Sequence, residues 1–168
     1  MTILVMMGVS GSGKTTIAAG VAERLGWDLL EGDQFHPPAN VAKMHAGHPL
    51  TDEDRWPWLH AIAAAIDARR AAGESAVVAC SALKHAYRAI LVGNRPDVLL
   101  VYLQGSQALI GQRLAARKGH YMPASLLDSQ FATLEEPTPD EHALIVSVDA
   151  APEAIVDEVL RQVRARTA

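Results

Sequence analysis

An apolar run, Thr2 to Met7, passes without a break into Gly8-Val9-Ser10-Gly11-Ser12-Gly13-Lys14-Thr15, with a second threonine, Thr16, behind it. A buried strand that ends in glycines and reopens as a helix commits the chain to an α/β start, and G-x-x-x-x-G-K-[ST] in that setting is the Walker A phosphate loop. The glycines let successive backbone N–H groups turn inward around a phosphate without Cβ clashes. The helix that follows points its positive end at the same anion. The segment Gly8 to Thr16 therefore predicts a nucleoside triphosphate site, with Lys14 reaching the β and γ phosphates and the Thr15 hydroxyl on Mg2+. A flexible glycine turn is the plainer reading, but it does not require Lys14 followed by Thr15.

At 168 residues the chain is most simply one domain, long enough to bury about two thirds of its unfolded surface. A net charge of -4 offers no broad basic face for nucleic acid and no polybasic patch for a membrane, so phosphate binding has to be local. The lone Cys80 excludes an intramolecular disulfide. No signal-peptide pattern and no apolar stretch of spanning length is visible, and a soluble cytoplasmic protein is the expectation. Arginine outnumbers lysine eleven to four. The lysines (Lys14, Lys43, Lys84 and Lys118) all fall in segments argued below to face ligand, although so few residues also cluster by chance.

Four more apolar segments read as strands, roughly Trp27 to Leu30, Ala76 to Cys80, Val98 to Leu103 and Ala143 to Val148. They are continuous rather than alternating, the pattern of strands buried on both faces of a parallel sheet. Helical patterns lie between them: Lys14 to Leu25, Arg55 to Ala72, Leu83 to Val92, Ser106 to Arg117 and Pro152 to Arg166. The alternation predicts a three-layer α/β/α sandwich around a five-stranded parallel sheet, with ligands at the carboxyl ends of the strands. Two segments fall outside it. Gly32 to Trp58 is too long for an ordinary βα loop and reads as a substrate-binding insertion. Residues 117 to 134, a glycine-bearing basic loop followed by a helix from Ala124 to Leu134, read as a lid.

Among the strands, only the second ends in a carboxylate, Asp33 after Leu29-Leu30-Glu31-Gly32. If that strand lies near the first, Asp33 stands beside the phosphate loop and can aim an acceptor hydroxyl at the γ phosphate. A turn or N-cap role before Gln34 is the alternative. Short length and the lack of a guanine-reading Asn-Lys-x-Asp argue for a small-molecule kinase over a hydrolytic switch.

The next segment narrows the acceptor. Asp33-Gln-Phe-His-Pro-Pro-Ala-Asn-Val-Ala-Lys-Met-His-Ala-Gly-His-Pro-Leu-Thr-Asp-Glu-Asp-Arg-Trp-Pro-Trp-Leu59 resembles the signature of the gluconokinases, which phosphorylate D-gluconate with ATP. Ala79-Cys-Ser-Ala-Leu-Lys84 with Tyr87-Arg88 resembles the family's third-strand motif. Arg117-Lys-Gly-His-Tyr-Met-Pro123 with Ser129-Gln130 and Leu134-Glu135 resembles its lid. The likeness runs from Gly8 to Pro137. The chain departs from the family's commoner residues at Glu31, Tyr121 and Ala89, and Ala89 leaves open whether Arg88 has a carboxylate partner.

The resemblance implies a P-loop fold like that of shikimate kinase and adenylate kinase, ATP and Mg2+ as cofactors, D-gluconate as substrate and a homodimer. It implies that Asp33 positions the 6-hydroxyl, that Lys43, Arg55, His36 and Arg88 hold substrate oxygens or the carboxylate, and that Ser81, His120 and Gln130 complete the acceptor site. Arg55 is the first choice for the carboxylate, since a guanidinium fork suits a bidentate contact. Arg113 and Arg117, one helical turn apart, are assigned to nucleotide and transferring phosphate.

Each assignment has a plainer counterpart. Arg55 can pair with Asp52 or Asp54, Ser81 can cap the following helix, and Arg113 and Arg117 can form a solvated face. Thr51 to Asp54 fits a capping box, but Pro57 predicts a regular helix beginning only near Arg55. Trp56 and Trp58 read as core anchors, and His45 and His48 as solvated loop residues. Rival readings of the whole chain are a kinase for another small acid, such as shikimate, and a non-catalytic nucleotide-binding module.

Overall fold

A computed structural model describes residues 1–116 and 124–168. Five parallel strands, β1 (Ile3–Met7), β2 (Asp28–Glu31), β3 (Ala76–Ala79), β4 (Val98–Gln104) and β5 (Leu144–Ser147), form one sheet in the order β2-β3-β1-β4-β5. Among the described residues, seven α-helices accompany them: α1 (Lys14–Leu25), α2 (Pro38–His45), α3 (Asp52–Ala72), α4 (His85–Leu91), α5 (Gln107–Ala116), α6 (Ala124–Thr133) and α7 (Pro152–Thr167). This is the three-layer α/β/α architecture expected from the strand and helix alternation.

Two buried layers form because successive strand residues point to opposite faces. Leu4, Met6, Val77, Ala79, Val101 and Leu103 pack under α1 and α7 with Ile17, Val21, Val159 and Leu160. Ile3, Val5, Met7, Val78, Val98 and Leu100 pack on the other face with Leu59, Ile62, Ile66 and Leu91 of α3 and α4. Both faces of β1 and β3 are covered, which explains their unbroken apolar runs. The edges differ from that expectation. β5 alternates buried and exposed residues, with Ile145 on the open side, and β2 is only partly buried.

Helix α3 begins at Asp52, three residues earlier than its proline suggested. The Thr51 hydroxyl accepts the Asp54 N–H at 3.2 Å and the Asp54 carboxylate accepts the Thr51 N–H at 2.8 Å, a complete capping box. Pro57 removes one donor from the next turn, leaving the Glu53 carbonyl without its helical partner. Glu53 and Pro57 are both exposed, on the side where solvent can reach that carbonyl, and the helix continues through the proline. Within the insertion, a 3-10 turn over Gly32–Phe35 and helix α2 supply structure that no clear periodicity announced. No helix among the described residues is long and apolar enough to cross a membrane.

Candidate active site

The loop after β1 opens at the centre of the sheet's carboxyl edge. The Gly8 N–H donates to the Ser81 carbonyl at 3.3 Å, tying the loop to the end of β3. Gly11 and Gly13 take φ values of 87° and 86°, a region that L side chains rarely adopt, and a Cβ built on Gly13 would meet only open space. That space is a cradle of about 120 Å3 lined by Gly11, Gly13, Lys14, Thr15 and Thr16 at the N-terminus of α1. An anion fits there on charge and on shape, and exposed Thr15 offers its hydroxyl to a cation beside it.

The remaining loop residues divide between lining and support. The Val9 side chain packs with Leu83, Ile110 and Leu127, and the buried Ser12 hydroxyl has no hydrogen-bond partner among the described residues. A second cavity, about 340 Å3, continues from the loop along Gly11, Ser12, Gly13, Thr16, Arg113, Ala150 and Ile155. Arg113 holds its edge, donating to the Ala150 carbonyl at 3.1 Å.

Burial lowers the Lys14 pKa, and Cys80, Asp33 and Glu31 oppose the shift. Burial also pushes the Cys80 thiol up to about 12, so at neutral pH the opposing charges are the two carboxylates. The relationship places Asp33 and Lys14 in one electrostatic site even though β2 is not beside β1: β3 lies between them. Gly32 makes this reach possible. A Cβ there would stand 2.5 Å from the Ala79 carbonyl oxygen, so only glycine lets the end of β2 press against β3 and carry Asp33 over the sheet.

Asp33 opens into a third cavity of about 660 Å3, which also takes in Ser10 of the loop, His36, Arg55, Ser81, Tyr87 and Gln130. Met44 and Leu126 stand on its rim, each nearly half exposed. The Arg55 guanidinium donates to the Tyr87 hydroxyl at 3.2 Å and lies 3.8 Å from Asp52. The Tyr87 hydroxyl donates in turn to Asp52, which also receives Lys84 at 3.1 Å. Arg55 therefore lines the cleft and is also steadied by an acidic neighbour. Gln130 accepts the Ser10 N–H at 3.1 Å, bringing α6 across onto the phosphate loop. Ser81 lines the cleft and caps nothing, since Lys84 is the N-cap of α4.

Burial is also the main cause lowering the His36 pKa, with Arg55 adding to it and Asp33 opposing. Trp58 is both core anchor and platform. It is almost fully buried, donates its Nε1–H to the Gly32 carbonyl at 2.7 Å and stacks on the His36 ring. His48 is exposed on the same cleft, while His45 ends α2.

Two cations expected at substrate are engaged elsewhere. Lys43 bonds the Asp54 carboxylate at 2.6 Å, holding α2 to the start of α3 and keeping Asp54 at a pKa of about 2 together with the Thr51 N–H. Arg88 is buried behind the cleft. It donates to Glu141 through two nitrogens, at 2.6 and 3.2 Å, and to the Ala82 carbonyl at 2.9 Å. Glu141 is the carboxylate partner that Ala89 could not supply. Lys84 is bound to Asp52, in the network that also steadies Arg55. Arg117, Lys118 and His120 lie outside the described residues.

Asn40 and Tyr87, which the sequence placed near the site without a role, emerge as its internal supports. No sequence periodicity announces the first, because His36 lies in extended chain before α2 and reaches Asn40 only through the turn at Pro37.

The geometry joins a phosphate cradle to a polar cleft with a carboxylate at their junction, and known proteins match it along the whole chain. Residues 3–137 match the AAA domain family. A gluconokinase of Gluconobacter oxydans (strain 621H) is 49% identical over 162 residues, covering 96% of this chain and 91% of that one.

The chain belongs to the gluconokinase family.

The thermoresistant gluconokinase of Escherichia coli (strain K12) is 42% identical, with 96% of this chain and 93% of that protein covered. The crystal structure of a gluconokinase from Sinorhizobium meliloti 1021 superposes with a TM-score of 0.87 at 45% identity, over 99% of this chain and 93% of that one. The gluconokinase likeness thus embraces the insertion and α6 as well as the phosphate loop, which disfavours a kinase for an unrelated acid.

Proposed function

We propose that this chain is an ATP-dependent gluconokinase that transfers the γ-phosphoryl group to the 6-hydroxyl of D-gluconate, giving 6-phospho-D-gluconate and ADP. The observation that carries the reading is the junction itself: Asp33 and Arg55 share one cleft, and that cleft meets the loop bearing Lys14. The names and coverage of the relatives support the acceptor.

In this mechanism the Gly8 to Thr16 loop holds the polyphosphate through its amides and Lys14. Thr15 would hold Mg2+ through its hydroxyl, and the cation would supply charge neutralisation at the phosphates when bound. Asp33 accepts a hydrogen bond from the 6-hydroxyl and aims its oxygen at the γ phosphorus. As the new oxygen–phosphorus bond forms, the bond to the β-phosphate oxygen breaks, ADP departs, and the hydroxyl proton passes to Asp33. The transition state is loose, so alignment contributes more than proton removal. Arg55 takes the carboxylate end of the polyol, fixing which hydroxyl arrives at Asp33. Arg113 is assigned to the nucleoside side of the loop. Family likeness also supports a homodimer, which light scattering tests, and the lack of a spanning helix among the described residues is consistent with a cytoplasmic enzyme.

A thermal shift series tests the reading. D-gluconate with a non-hydrolysable ATP analogue and Mg2+ should raise the melting temperature more than either ligand alone, because each stabilises the native state by mass action. A shift with shikimate that equals or exceeds the shift with gluconate contradicts it.

A further inference from the structure

His36 lies in the acceptor cleft near both Asp33 and Arg55, and its imidazole is a possible base, acid or neutral donor. The residues around it leave one of these roles. Asn40 is almost fully buried on α2, and its Nδ2 donates to the Asp54 backbone carbonyl at 2.8 Å. A carbonyl only accepts, so the amide nitrogen, not the amide oxygen, must face it. That nitrogen's second hydrogen points toward His36 Nδ1, 3.2 Å away. Nδ1 must then accept, and in a neutral ring the proton sits on Nε2.

Packing restrains the ring as well. His36 stacks on Trp58 with centroids 4.3 Å apart and planes 14° from parallel, and Trp58 is itself tied to the Gly32 carbonyl. Among the described residues, the charged and titratable groups sharing the cleft with it are Asp33 on the same turn, Arg55 from α3, Tyr87 from α4 and His48 on the cleft loop. Burial outweighs the pull of Asp33, and Arg55 further disfavours the imidazolium, so the neutral ring is the working form at pH 7.

We propose that Asn40 is a positioning residue that locks His36 as the neutral Nε2–H tautomer, so that His36 offers a fixed hydrogen-bond donor to a polyol oxygen and cannot act as base. The only lone pair on the ring is Nδ1's, and Asn40 caps it. Proton acceptance is left to Asp33. The tautomer stands on the unliganded protein, while its use on a polyhydroxy acid rests on the gluconate reading above.

The experiment is long-range proton–nitrogen NMR of the histidine-labelled full chain without ligand, followed by kinetics of two variants with gluconate. In the wild-type protein His36 Nδ1 should show the pyridine-type nitrogen signal and Nε2 the pyrrole type, with a titration midpoint below the ordinary value of about 6.5. Asn40→Leu should mix the tautomers and raise the gluconate KM about tenfold with a smaller change in kcat. His36→Gln places an amide donor where Nε2–H stood, and it should keep kcat within about tenfold of wild type, whereas loss of a general base costs about 100-fold or more. A pyrrole-type Nδ1 in the wild-type protein overturns the inference, and so does a His36→Gln kcat depressed by that larger factor. If Asn40→Leu fails to fold, the wild-type spectrum and His36→Gln still decide. Wild-type protein that shows the expected spectrum but no turnover of gluconate overturns the substrate reading and leaves the tautomer standing.

Discussion

The indole N–H of Trp58 donates to the carbonyl of Gly32 at 2.7 Å, a buried bond that fastens α3 to the residue immediately before Asp33. The same indole carries His36 on its face, so one side chain sets the position of two cleft residues. Trp58→Phe keeps an aromatic ring but leaves the Gly32 carbonyl unsatisfied, which should cost about 1–3 kcal/mol in urea unfolding. It should also raise the gluconate KM. Unchanged stability would mean that the bond contributes nothing.

Gly32→Ala should be more damaging to turnover than its single methyl suggests. The added Cβ would stand 2.5 Å from the Ala79 carbonyl, so the end of β2 must lift and take Asp33 with it. A displacement of about 1 Å at a reacting group costs roughly 100-fold in rate, and kcat should fall by about that factor. Normal kcat in a folded Gly32→Ala protein would remove the close approach from the account.

Arg55 and Lys43 make a paired test, because both were expected at substrate and only Arg55 lines the cleft. Arg55→Ala should raise the gluconate KM roughly tenfold to 100-fold while kcat changes less, since a charged hydrogen bond to ground-state substrate is lost. Lys43→Ala should shift that KM much less. Steady-state kinetics with gluconate varied at saturating ATP decides, and the reverse ranking would return Lys43 to the substrate.

Acid stability should report the Arg88 to Glu141 pair. Burial alone would raise the Glu141 pKa, but hydrogen bonds from Arg88 and the Thr138 N–H outweigh it and lower the value from 4.5 to about 2. A folded-state pKa below the unfolded one gives stability that is present above pH 4.5 and is lost as the pH falls toward about 2. Glu141→Gln should therefore destabilise by about 3 kcal/mol at neutral pH, because it leaves Arg88 buried and uncompensated. The gap from wild type should narrow as the pH falls below 4.5 and close only near about pH 2. A gap independent of pH would show that the pair does not set it.

Several of these features could be read in the chain itself, for reasons that differ from element to element. β1 and β3 were plain because both of their faces are buried, so hydrophobicity alone marks them. β5 reads as the same kind of run but lies at the sheet edge, where Ile145 is left exposed, and an isolated apolar segment does not say which neighbours it will have. The start of α3 was misjudged because the cost of Pro57 depends on whether the Glu53 carbonyl can reach water, a property of the surface.

At the site, motif chemistry singled out Gly8 to Thr16, Asp33 and Arg55, which the structure brings to one end of the sheet, but it did not announce the ion pairs of Lys43 and Arg88. Their partners are Asp54, eleven residues away, and Glu141, fifty-three away, and a cation held by a distant carboxylate looks in sequence like one held by substrate.

The proposed mechanism has Asp33 aim the 6-hydroxyl of gluconate across the phosphate loop. The most direct test is an ADP-coupled assay of wild type and Asp33→Asn with gluconate, other sugar acids and shikimate, the product being located by phosphorus NMR. The prediction is preferred turnover of gluconate to the 6-phosphate ester, cut about 100-fold to 10,000-fold in Asp33→Asn while ATP binding persists. Preference for another acceptor, phosphate on a different hydroxyl, or near-normal turnover by Asp33→Asn would contradict it.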